Sequence, residues 1–573
     1  MPPPRRASIV VLKFGSSVLR TEADHARAVH EIYRHVRRGR RVVAVVSATG
    51  QATEGLLGMA RRVSDTPAPA ALAALLATGE RASAALLAIA LDAAGVPATL
   101  LDPIDAGFEV DGPILDGDPI GLDTRCLRRA LARCPVVVLA GFFGGGSDGT
   151  PALLGRGGTD LTALFVARGI RARRCKLIKD VAGVYESDPA SSETAPRRYA
   201  TLTWEDAEAV GGELLQAKAL RFARTHRLSF AVGALGSSRG TLVGAARTLA
   251  TEDIEPLAPP LRVVLLGLGT VGLGVYRHLA ALPEHFRVVR IAVREPAGHK
   301  NDGAPLELLC NDPRHAVTEP CDVVVELMGG VDPALAVIET ALEAGRDVIT
   351  ANKRLLAEHG LALEARAAAV GAQLRYSAAV GGAVPVLERI RCIARRRPIS
   401  RISGVLNGTT NYVLDRLVDG ATLDAAVRDA QRKGFAEADA TLDLDGSDAA
   451  QKLVLVARAA FGPAADGMVL TREGIDTLDP ATVREAARAG YVIRLVATVQ
   501  RTTDRFQGDV GPRKLPRNHP LARTRDEQNR VLIWSAGGAR ALLAGKGAGR
   551  WPTAEAVIAD LFDVARSLKE ATR

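Results

Sequence analysis

The sequence predicts an α/β protein built around parallel β-sheets. Short apolar runs alternate with longer helical patterns along the chain. The clearest predicted strands cover residues 9–14, 42–46, 136–140, 263–266 and 323–327. Each run is almost continuously apolar, which is typical of a parallel strand that helices cover on both faces. Strands that alternate with helices in this way favour an α/β architecture.

The length of 573 residues is too great for one hydrophobic core, so about two to four domains are expected. The clearest boundary lies at 251–260, where three prolines within five residues disfavour both helix and central strand. A softer boundary lies near 395–398. We therefore expect a first domain over 1–246, followed by a linker over 247–260.

The composition argues for a folded enzyme that acts on small molecules. Apolar residues make up 47% of the chain and charged residues 24%. The net charge of +10 is compatible with nucleic-acid binding. However, arginines are spread along the whole chain, and aromatic residues, which stack on bases, make up only 4%. We expect no nucleic-acid partner.

Cysteine usage and apolar runs indicate a cytoplasmic protein without a membrane partner. The six cysteines form no Cys-x-x-Cys pair, which is typical of buried thiols in a reducing compartment. The N-terminus lacks the apolar stretch of a signal peptide, and no uncharged apolar run reaches membrane-spanning length. The Ala- and Leu-rich segment 68–94 is interrupted by Gly79, Glu80 and Arg81, so we predict two core helices there.

A glycine fingerprint follows the predicted strand 262–266 and opens a helix. Its glycines are Gly267, Gly269 and Gly272. In this context they permit a tight turn, close approach of a pyrophosphate and close helix packing, so a dinucleotide site is predicted. The next strand ends at Arg294, which suits the 2′-phosphate of NADP, although Glu295 leaves NAD open.

A second polar cluster ends the predicted strand 347–350. Thr350, Asn352 and Lys353 would lie at the carboxyl end of a parallel strand, where ligands bind in such sheets. The alternative is a solvated lysine that starts a helix.

The segment 431–452 contains five carboxylates and ends in Lys452. Asp448 and Lys452 stand at i and i+4 on one face of a helix whose later residues are mostly apolar. A surface ion pair is the alternative, but a buried pair is costly unless it is used. Lys452 can then protonate an alkoxide formed by hydride transfer, while Glu437 and Asp443 bind a substrate ammonium.

Residues 261 to about 573 resemble homoserine dehydrogenases. The matching signature positions are Ala430, Gly434, Phe435, Asp439, Asp443, Gly446, Asp448 and Lys452. Ala440 departs from the proline that is usual in that family. The resemblance implies a Rossmann domain over 261–395 and 537–573, with an α/β substrate and dimerisation domain over 396–536. It also implies a homodimer or higher homo-oligomer.

The resemblance further implies the roles of individual residues. Lys353 and Lys452 would be catalytic, with Asp448 orienting Lys452, and Glu437 and Asp443 would hold the amino acid. The implied cofactor contacts are Gly267, Gly269, Thr270, Val271, Gly272, Arg294, Thr350, Lys353 and Gly549. The implied ligands of a sodium-like monovalent cation are the carbonyls of Val380, Gly382 and Val384.

The first half carries two glycine turns with adjacent charged residues. Lys13 precedes a Gly-Ser-Ser turn at a strand end, and Arg156 and Asp160 flank a second glycine turn. With other short motifs they resemble the catalytic domain of aspartate kinases over residues 7 to about 246. This implies a three-layer amino-acid-kinase-like domain that uses ATP and magnesium if it is active. The implied site residues are Lys13, Gly15, Ser16, Ser17, Glu80, Arg156, Asp160 and Asp180.

Departures in this half leave its activity open. Ser16 replaces a second glycine, and Lys179 stands where the family often has threonine or serine. The linker 247–260 is too short for a regulatory domain, so we expect no dedicated threonine-inhibition domain. We predict a homoserine dehydrogenase that uses NADP(H), fused to an aspartate kinase. The alternatives are a silent kinase-like binding or dimerisation module, and a dehydrogenase for another amino-acid aldehyde.

Overall fold

A computed structural model describes residues 8–571, except 190, 191, 193–195, 213, 238, 252–258, 300 and 504. The chain divides into two compact units, Met1–Ala93 with Pro97–Leu257, and Ala94–Val96 with Ala258–Arg573. Half of the predicted linker, residues 252–258, lies outside the described residues. Each unit combines sheets and helices, and the predicted α/β fold class is confirmed.

The first unit is built on a nine-stranded sheet in the order β13-β10-β12-β11-β9-β1-β2-β6-β3. Strands from β11 to β3 run parallel, and a small sheet has the order β5-β4-β7-β8. The described strands are β1 Ile9–Phe14, β2 Arg41–Val46, β3 Ala98–Leu101, β4 Glu109–Asp111, β5 Asp118–Gly121, β6 Val136–Ala140, β7 Phe143–Gly145, β8 Pro151–Leu153, β9 Arg174–Lys179, β10 Tyr199–Leu202, β11 Phe230–Ala234, β12 Thr241–Val243 and β13 Leu249–Ala250. The described helices are α1 Asp24–Arg37, α2 Ala52–Val63, α3 Pro69–Ala93, α4 Thr124–Arg133, α5 Gly158–Gly169, α6 Trp204–Val210 and α7 Ala217–Thr225.

The prediction of two helices within 68–94 is wrong, because one continuous helix, α3, spans this segment. A Cβ on Gly79 would lie 3.2 Å from Leu56 Cδ1 and 3.3 Å from Ala48 Cβ. The glycine therefore permits close packing instead of ending the helix. Among the described residues, one helix, α3, is long enough and apolar enough to cross a membrane. However, 44% of its most apolar 18-residue stretch is buried inside the protein. It also carries the buried Glu80.

The second unit contains two six-stranded sheets. The first is entirely parallel, in the order β16-β15-β14-β17-β18-β19. Its strands are β14 Leu261–Leu266, β15 Phe286–Ala292, β16 Leu309–Cys310, β17 Val323–Glu326, β18 Asp347–Thr350 and β19 Leu374–Arg375. The second sheet is mostly antiparallel, in the order β21-β23-β22-β20-β24-β25. Its strands are β20 Ile399–Val405, β21 Val469–Arg472, β22 Tyr491–Arg501, β23 Phe506–Pro516, β24 Gln528–Ser535 and β25 Arg540–Lys546.

One large apolar core joins these two sheets, with contributions from β14, β17 and β18 on one side and β20, β22 and β24 on the other. The described helices of this unit are α8 Thr270–Ala280, α9 Pro313–Ala316, α10 Asp332–Glu343, α11 Lys353–Val370, α12 Val386–Ala394, α13 Gly408–Val418, α14 Leu423–Arg432, α15 Thr441–Leu444, α16 Ser447–Phe461, α17 Pro480–Arg488 and α18 Arg550–Ala571. Within this core α11, the helix that follows β18, packs against α16.

The predicted return to the dinucleotide domain at residue 537 needs correction. The strand β25 pairs with β24 over its whole length, so residues 540–546 belong to the antiparallel sheet. The later helix α18 packs on α8 and β18 of the parallel-sheet domain. The alternating pattern of residues 540–546 gives no sign of which sheet the strand joins, since that choice depends on partners far away in sequence.

Candidate functional site

The glycine fingerprint forms a tight turn between β14 and α8. Gly267 has φ of 98°, and a Cβ on it would lie 2.7 Å from the carbonyl oxygen of Leu327. A Cβ on Gly272 would lie 2.1 Å from the carbonyl oxygen of Gly267. By contrast, a Cβ on Gly269 would meet no atom within 4 Å. The first and third glycines are therefore needed for packing, while the second leaves open space at the helix N-terminus, where a pyrophosphate fits.

The remaining predicted cofactor residues surround this turn or the strand beside it. Thr270 starts α8, and its carbonyl accepts a hydrogen bond of 3.1 Å from Arg550 Nε, next to Gly549 at the start of α18. Val271 is partly buried. Arg294 is exposed two residues beyond the end of β15. The structure thus brings Thr270, Gly549 and the glycine turn together.

Thr350 lies at the carboxyl end of β18, as predicted, with its side chain turned into the protein. Its side chain is fully buried, and its hydroxyl donates a hydrogen bond of 2.6 Å to Glu326 Oε2. The same hydroxyl oxygen accepts the backbone N–H of Asn352 at 3.0 Å. The hydroxyl of Thr350 is therefore used inside the protein, and the predicted cofactor contact at this position would fall to its backbone. Glu326 was missed at the sequence level, although a carboxylate that ends an apolar strand is a visible signal.

Asp448 lies between two lysines and is 5% exposed. Its Oδ2 is 2.7 Å from Lys452 Nζ, and its Oδ1 is 3.2 Å from Lys353 Nζ. Burial opposes ionisation of Asp448, but the two ammonium groups outweigh it and lower the pKa of this carboxyl to about 2. Its charge in turn raises the pKa of Lys353. The predicted helix-face pair is therefore part of a three-charge cluster.

Asn407 and Thr409 extend this cluster toward Asp443. Asn407 Nδ2 donates to Asp443 Oδ1 at 2.6 Å and to Asp448 Oδ2 at 2.9 Å. The Thr409 hydroxyl lies 2.9 Å from Asp443 Oδ2. Burial, followed by the charge of Asp448, raises the pKa of Asp443. Asn407 and Thr409 had no assigned role at the sequence level, because their chemistry becomes visible only when α13 meets α15 and α16.

Glu437 lies on the exposed segment between α14 and α15. Its charge is the smallest of the contributions that raise the pKa of Lys353, so Glu437 lies within electrostatic reach of that lysine. This segment is anchored through Phe435, whose ring stacks on Tyr412 with centroids 4.6 Å apart. Of the two predicted substrate-binding carboxylates, Asp443 is thus joined to the lysine cluster through Asn407, while Glu437 lies on the exposed segment beside it.

The segment 380–384 offers backbone oxygens instead of polar side chains. All of its residues are buried, and Gly381 and Gly382 have φ of 85° and 52°. Within the described residues, no hydrogen bond is recorded to the carbonyls of Val380 and Gly382, whereas the carbonyl of Val384 accepts the N–H of Val386 at 2.7 Å. Buried carbonyls without donors fit a monovalent cation, and Val384 is the weakest of the three predicted ligands.

A second charged cluster lies in the first unit at the carboxyl ends of β1 and β9. Asp160 Oδ1 is 2.7 Å from Lys13 Nζ, and Asp160 Oδ2 is 2.9 Å from Lys179 Nζ. Both Lys13 and Asp160 are almost completely buried. Lys179 appeared in the sequence only as a departure from a family pattern. The structure places it in the cluster as a second cation.

Other predicted residues of this unit form the surroundings of that cluster. Burial raises the pKa of Glu80 to about 8, and its Oε2 has no hydrogen-bond partner among the described residues. A Cβ on Gly15 would lie 3.0 Å from Lys13 Nζ, so the lysine folds over this glycine. The exposed residues are Ser16, Ser17, Arg156 and Asp180. A buried cluster with two cations and one anion is suited to hold a phosphoryl group.

Comparisons with known proteins give consistent results for both units. Residues 385–562 match the model of the homoserine dehydrogenase family, residues 267–377 its NAD-binding domain, and residues 8–229 the amino acid kinase family. A homoserine dehydrogenase of Bacillus subtilis strain 168 is 32% identical over 321 residues, covering 54% of this chain and 74% of the relative. A homoserine dehydrogenase of Mycobacterium tuberculosis H37Rv is 38% identical, covering 54% of this chain and 73% of the relative. The crystal structure of a homoserine dehydrogenase from Thiobacillus denitrificans matches with a TM-score of 0.52 and 37% sequence identity. The match covers 54% of this chain and 74% of that protein.

Proposed function

Since this chain belongs to the homoserine dehydrogenase family, we propose that its C-terminal half interconverts aspartate 4-semialdehyde and homoserine with NADP(H). An amino acid kinase domain is fused to this NAD-binding and homoserine dehydrogenase region. The observation that carries the proposal is the buried Asp448 carboxylate, which holds two ammonium groups. One of them, Lys353, follows a strand of the same parallel sheet that carries the dinucleotide turn.

The bound nicotinamide cofactor supplies the hydride for reduction of the aldehyde. The aldehyde oxygen then gains negative charge and requires a proton. Lys452 Nζ donates to the carbonyl of Leu406 at 2.8 Å and to Asp448 Oδ2 at 2.7 Å, which leaves one N–H for the substrate. We assign proton donation to Lys452, either directly or through a water held together with Lys353. In the oxidative direction Lys452 takes the proton.

The amino acid is held through its ammonium group by Glu437 and Asp443. Support comes from Asp443, which shares Asn407 with Asp448, and from the charge of Glu437, which contributes to the raised pKa of Lys353. Asn407 and Thr409 fix the Asp443 carboxylate, so that its orientation is set before the substrate arrives. Carboxylates on one side and lysines on the other match a substrate with an ammonium group and a polarised carbonyl.

We propose NADP as the preferred cofactor and NAD as the weaker one. The exposed guanidinium of Arg294, beyond the end of β15, suits a 2′-phosphate. A sodium-like cation would be held by the carbonyls of Val380 and Gly382, with a smaller contribution from Val384. This cation would fix the segment that precedes α12.

A direct test compares aldehydes and cofactors on the purified chain. Reduction of aspartate 4-semialdehyde should be faster with NADPH than with NADH, and glutamate 5-semialdehyde should be a poor substrate. Homoserine should be the product by mass spectrometry. Equal or faster turnover of the longer aldehyde would reject the proposed substrate while leaving the dehydrogenase chemistry intact.

For the N-terminal half we propose an aspartate kinase that uses ATP and magnesium. The cluster of Lys13, Asp160 and Lys179 supports the proposed kinase activity. A phosphoryl group carries negative charge while it is transferred, and buried cations stabilise that charge. The alternative is a silent binding or dimerisation module. ADP release in the presence of aspartate distinguishes the two, with Lys13→Ala as the control. Turnover no higher than that of the variant would support the silent module, and dehydrogenase turnover of the same sample serves as the folding control.

We further propose that the chain works in the cytoplasm as a homodimer or higher homo-oligomer. Its two reactions would serve threonine and methionine synthesis without being consecutive, because another enzyme must convert aspartyl phosphate into the semialdehyde. Light scattering on the purified chain measures the oligomeric state, and a monomeric mass would reject that part of the proposal.

A further inference from the structure

The carboxyl ends of β17 and β18 share a buried acid that the proposed chemistry does not use. Glu326 ends β17 and is 0% exposed. A carboxyl without solvent is costly unless its oxygens are hydrogen-bonded. Each of its two oxygens has a hydrogen-bond donor, and these donors come from two different segments of the sheet edge.

The first oxygen of Glu326 holds the turn that follows β17. Its Oε1 accepts the backbone N–H groups of Met328 at 2.8 Å and Gly329 at 3.3 Å. This turn continues into Gly329 and Gly330, both with φ near 74° (73° and 74°). The carbonyl oxygen of Leu327, in the same turn, lies where a Cβ on Gly267 would fall. Glu326 therefore fixes the wall against which the dinucleotide turn packs.

The second oxygen holds the segment that leads to Lys353. Glu326 Oε2 accepts the hydroxyl of Thr350 at 2.6 Å, and that hydroxyl oxygen accepts the N–H of Asn352 at 3.0 Å. Asn352 in turn caps α11, because its Oδ1 accepts the N–H of Leu355 at 3.2 Å. Lys353 is the first residue of that helix and lies 3.2 Å from Asp448. A short hydrogen-bond chain thus runs from Glu326 to the backbone of Lys353.

We propose that Glu326 is a positioning residue that couples the cofactor-binding turn to Lys353. It cannot touch substrate or cofactor itself, because it is fully buried and both of its oxygens are hydrogen-bonded inside the protein. Glu326 acts by keeping the turn after β17 and the segment after β18 at a fixed distance from each other. The inference rests on the proposed dehydrogenase function, since it assumes that both loops serve one reaction.

The test compares Glu326→Leu with a matched variant at the other end of the same sheet. Asp347 begins β18, is also buried, and accepts hydrogen bonds from Gln373 N at 2.7 Å and Nε2 at 3.2 Å. Burial raises the pKa of both acids. Asp347→Leu therefore removes a similar buried carboxyl and serves as a control for general destabilisation, since Asp347 lies at the amino ends of the strands.

Misplacement of a catalytic group by about 1 Å costs up to roughly a hundredfold in rate. We expect Glu326→Leu to lower kcat roughly tenfold to a hundredfold and to weaken NADPH binding, measured by fluorescence without substrate, about fivefold or more. Glu326→Gln keeps an oxygen for the Met328 and Gly329 N–H groups, so its losses should be smaller. Asp347→Leu should lower the melting temperature but leave kcat and the NADPH dissociation constant close to those of the wild type.

A double-mutant cycle with Thr350→Val separates coupling from simple loss of stability. Because Glu326 and Thr350 act through one hydrogen bond, the double variant should lose no more activity than Glu326→Leu alone. Additive losses would overturn the inference, as would wild-type kcat and NADPH binding in Glu326→Leu, or equal losses in Asp347→Leu. Failure of the proposed function is distinguishable, because the wild-type chain would then not reduce aspartate 4-semialdehyde.

Discussion

Replacement of Asp448 by asparagine probes the charge cluster most fully. Asp448→Asn keeps the shape of the side chain but removes the charge that faces Lys353 and Lys452. The pKa of this carboxyl falls from 3.8 to about 2 in the folded protein. That difference corresponds to about 2 kcal/mol of folding free energy at neutral pH, because one pKa unit is about 1.4 kcal/mol. Asp448 is almost fully buried, so solvent screening reduces this value little.

The pH dependence gives this prediction a definite sign. The folded pKa of Asp448 lies below the unfolded one, so the ionised form stabilises the protein above about pH 4. The stabilisation is lost as the pH falls toward 2. The difference in stability between wild type and Asp448→Asn should therefore be constant from pH 7 to about pH 4, and should shrink below that.

Urea unfolding measures the stability, and reduction of aspartate 4-semialdehyde measures the activity. We expect Asp448→Asn to lower kcat by roughly a hundredfold or more, since both lysines lose their common anchor. Asp466→Asn is the control, because Asp466 pairs with Arg458 near the far end of α16. An Asp448→Asn variant with unchanged stability, or with turnover equal to that of Asp466→Asn, would show that the Asp448 charge does not anchor Lys353 and Lys452 for the reaction.

Three further predictions concern the cofactor and the kinase-like unit. Arg294→Ser should lower kcat/KM for NADPH roughly tenfold and leave NADH nearly unaffected; equal losses for both cofactors would contradict the 2′-phosphate assignment. Because burial raises the pKa of Glu80 to about 8, kinase turnover should rise as the pH passes 8 and this carboxyl becomes able to hold an ammonium; Glu80→Gln should abolish the rise. Lys179→Met should lower ADP release with aspartate by roughly a hundredfold while dehydrogenase turnover stays unchanged, and a fully active variant would remove Lys179 from the site.

Local patterns predicted the strands of both parallel sheets well. The runs 9–14 and 136–140 are strands with the predicted bounds, and 42–46, 263–266 and 323–327 agree within a residue or two. These runs are continuously apolar because helices cover both sheet faces. The prediction for 68–94 was wrong because Gly79, Glu80 and Arg81 do not interrupt α3. Gly79 permits close packing against Leu56 of α2, a role that only the tertiary structure reveals.

The candidate site was predictable where its residues share one helix and less so where they do not. Asp448 and Lys452 are four residues apart, so their contact follows from helix geometry. The contact of Lys353 with the same carboxylate joins residues 95 positions apart, and no local pattern specifies it. Asn407 and Glu326 were missed for the same reason, since their hydrogen-bond partners come from other segments of the chain.

We propose above that Lys452, held by Asp448, supplies the proton in reduction of aspartate 4-semialdehyde. The most direct measurement is kcat of Lys452→Ala with NADPH, beside Lys514→Ala as a control lysine on β23 of the same unit. We expect kcat to fall roughly a hundredfold to ten-thousandfold in Lys452→Ala, with NADPH binding retained, and to stay unchanged in Lys514→Ala. Near-normal turnover of Lys452→Ala would contradict the assignment.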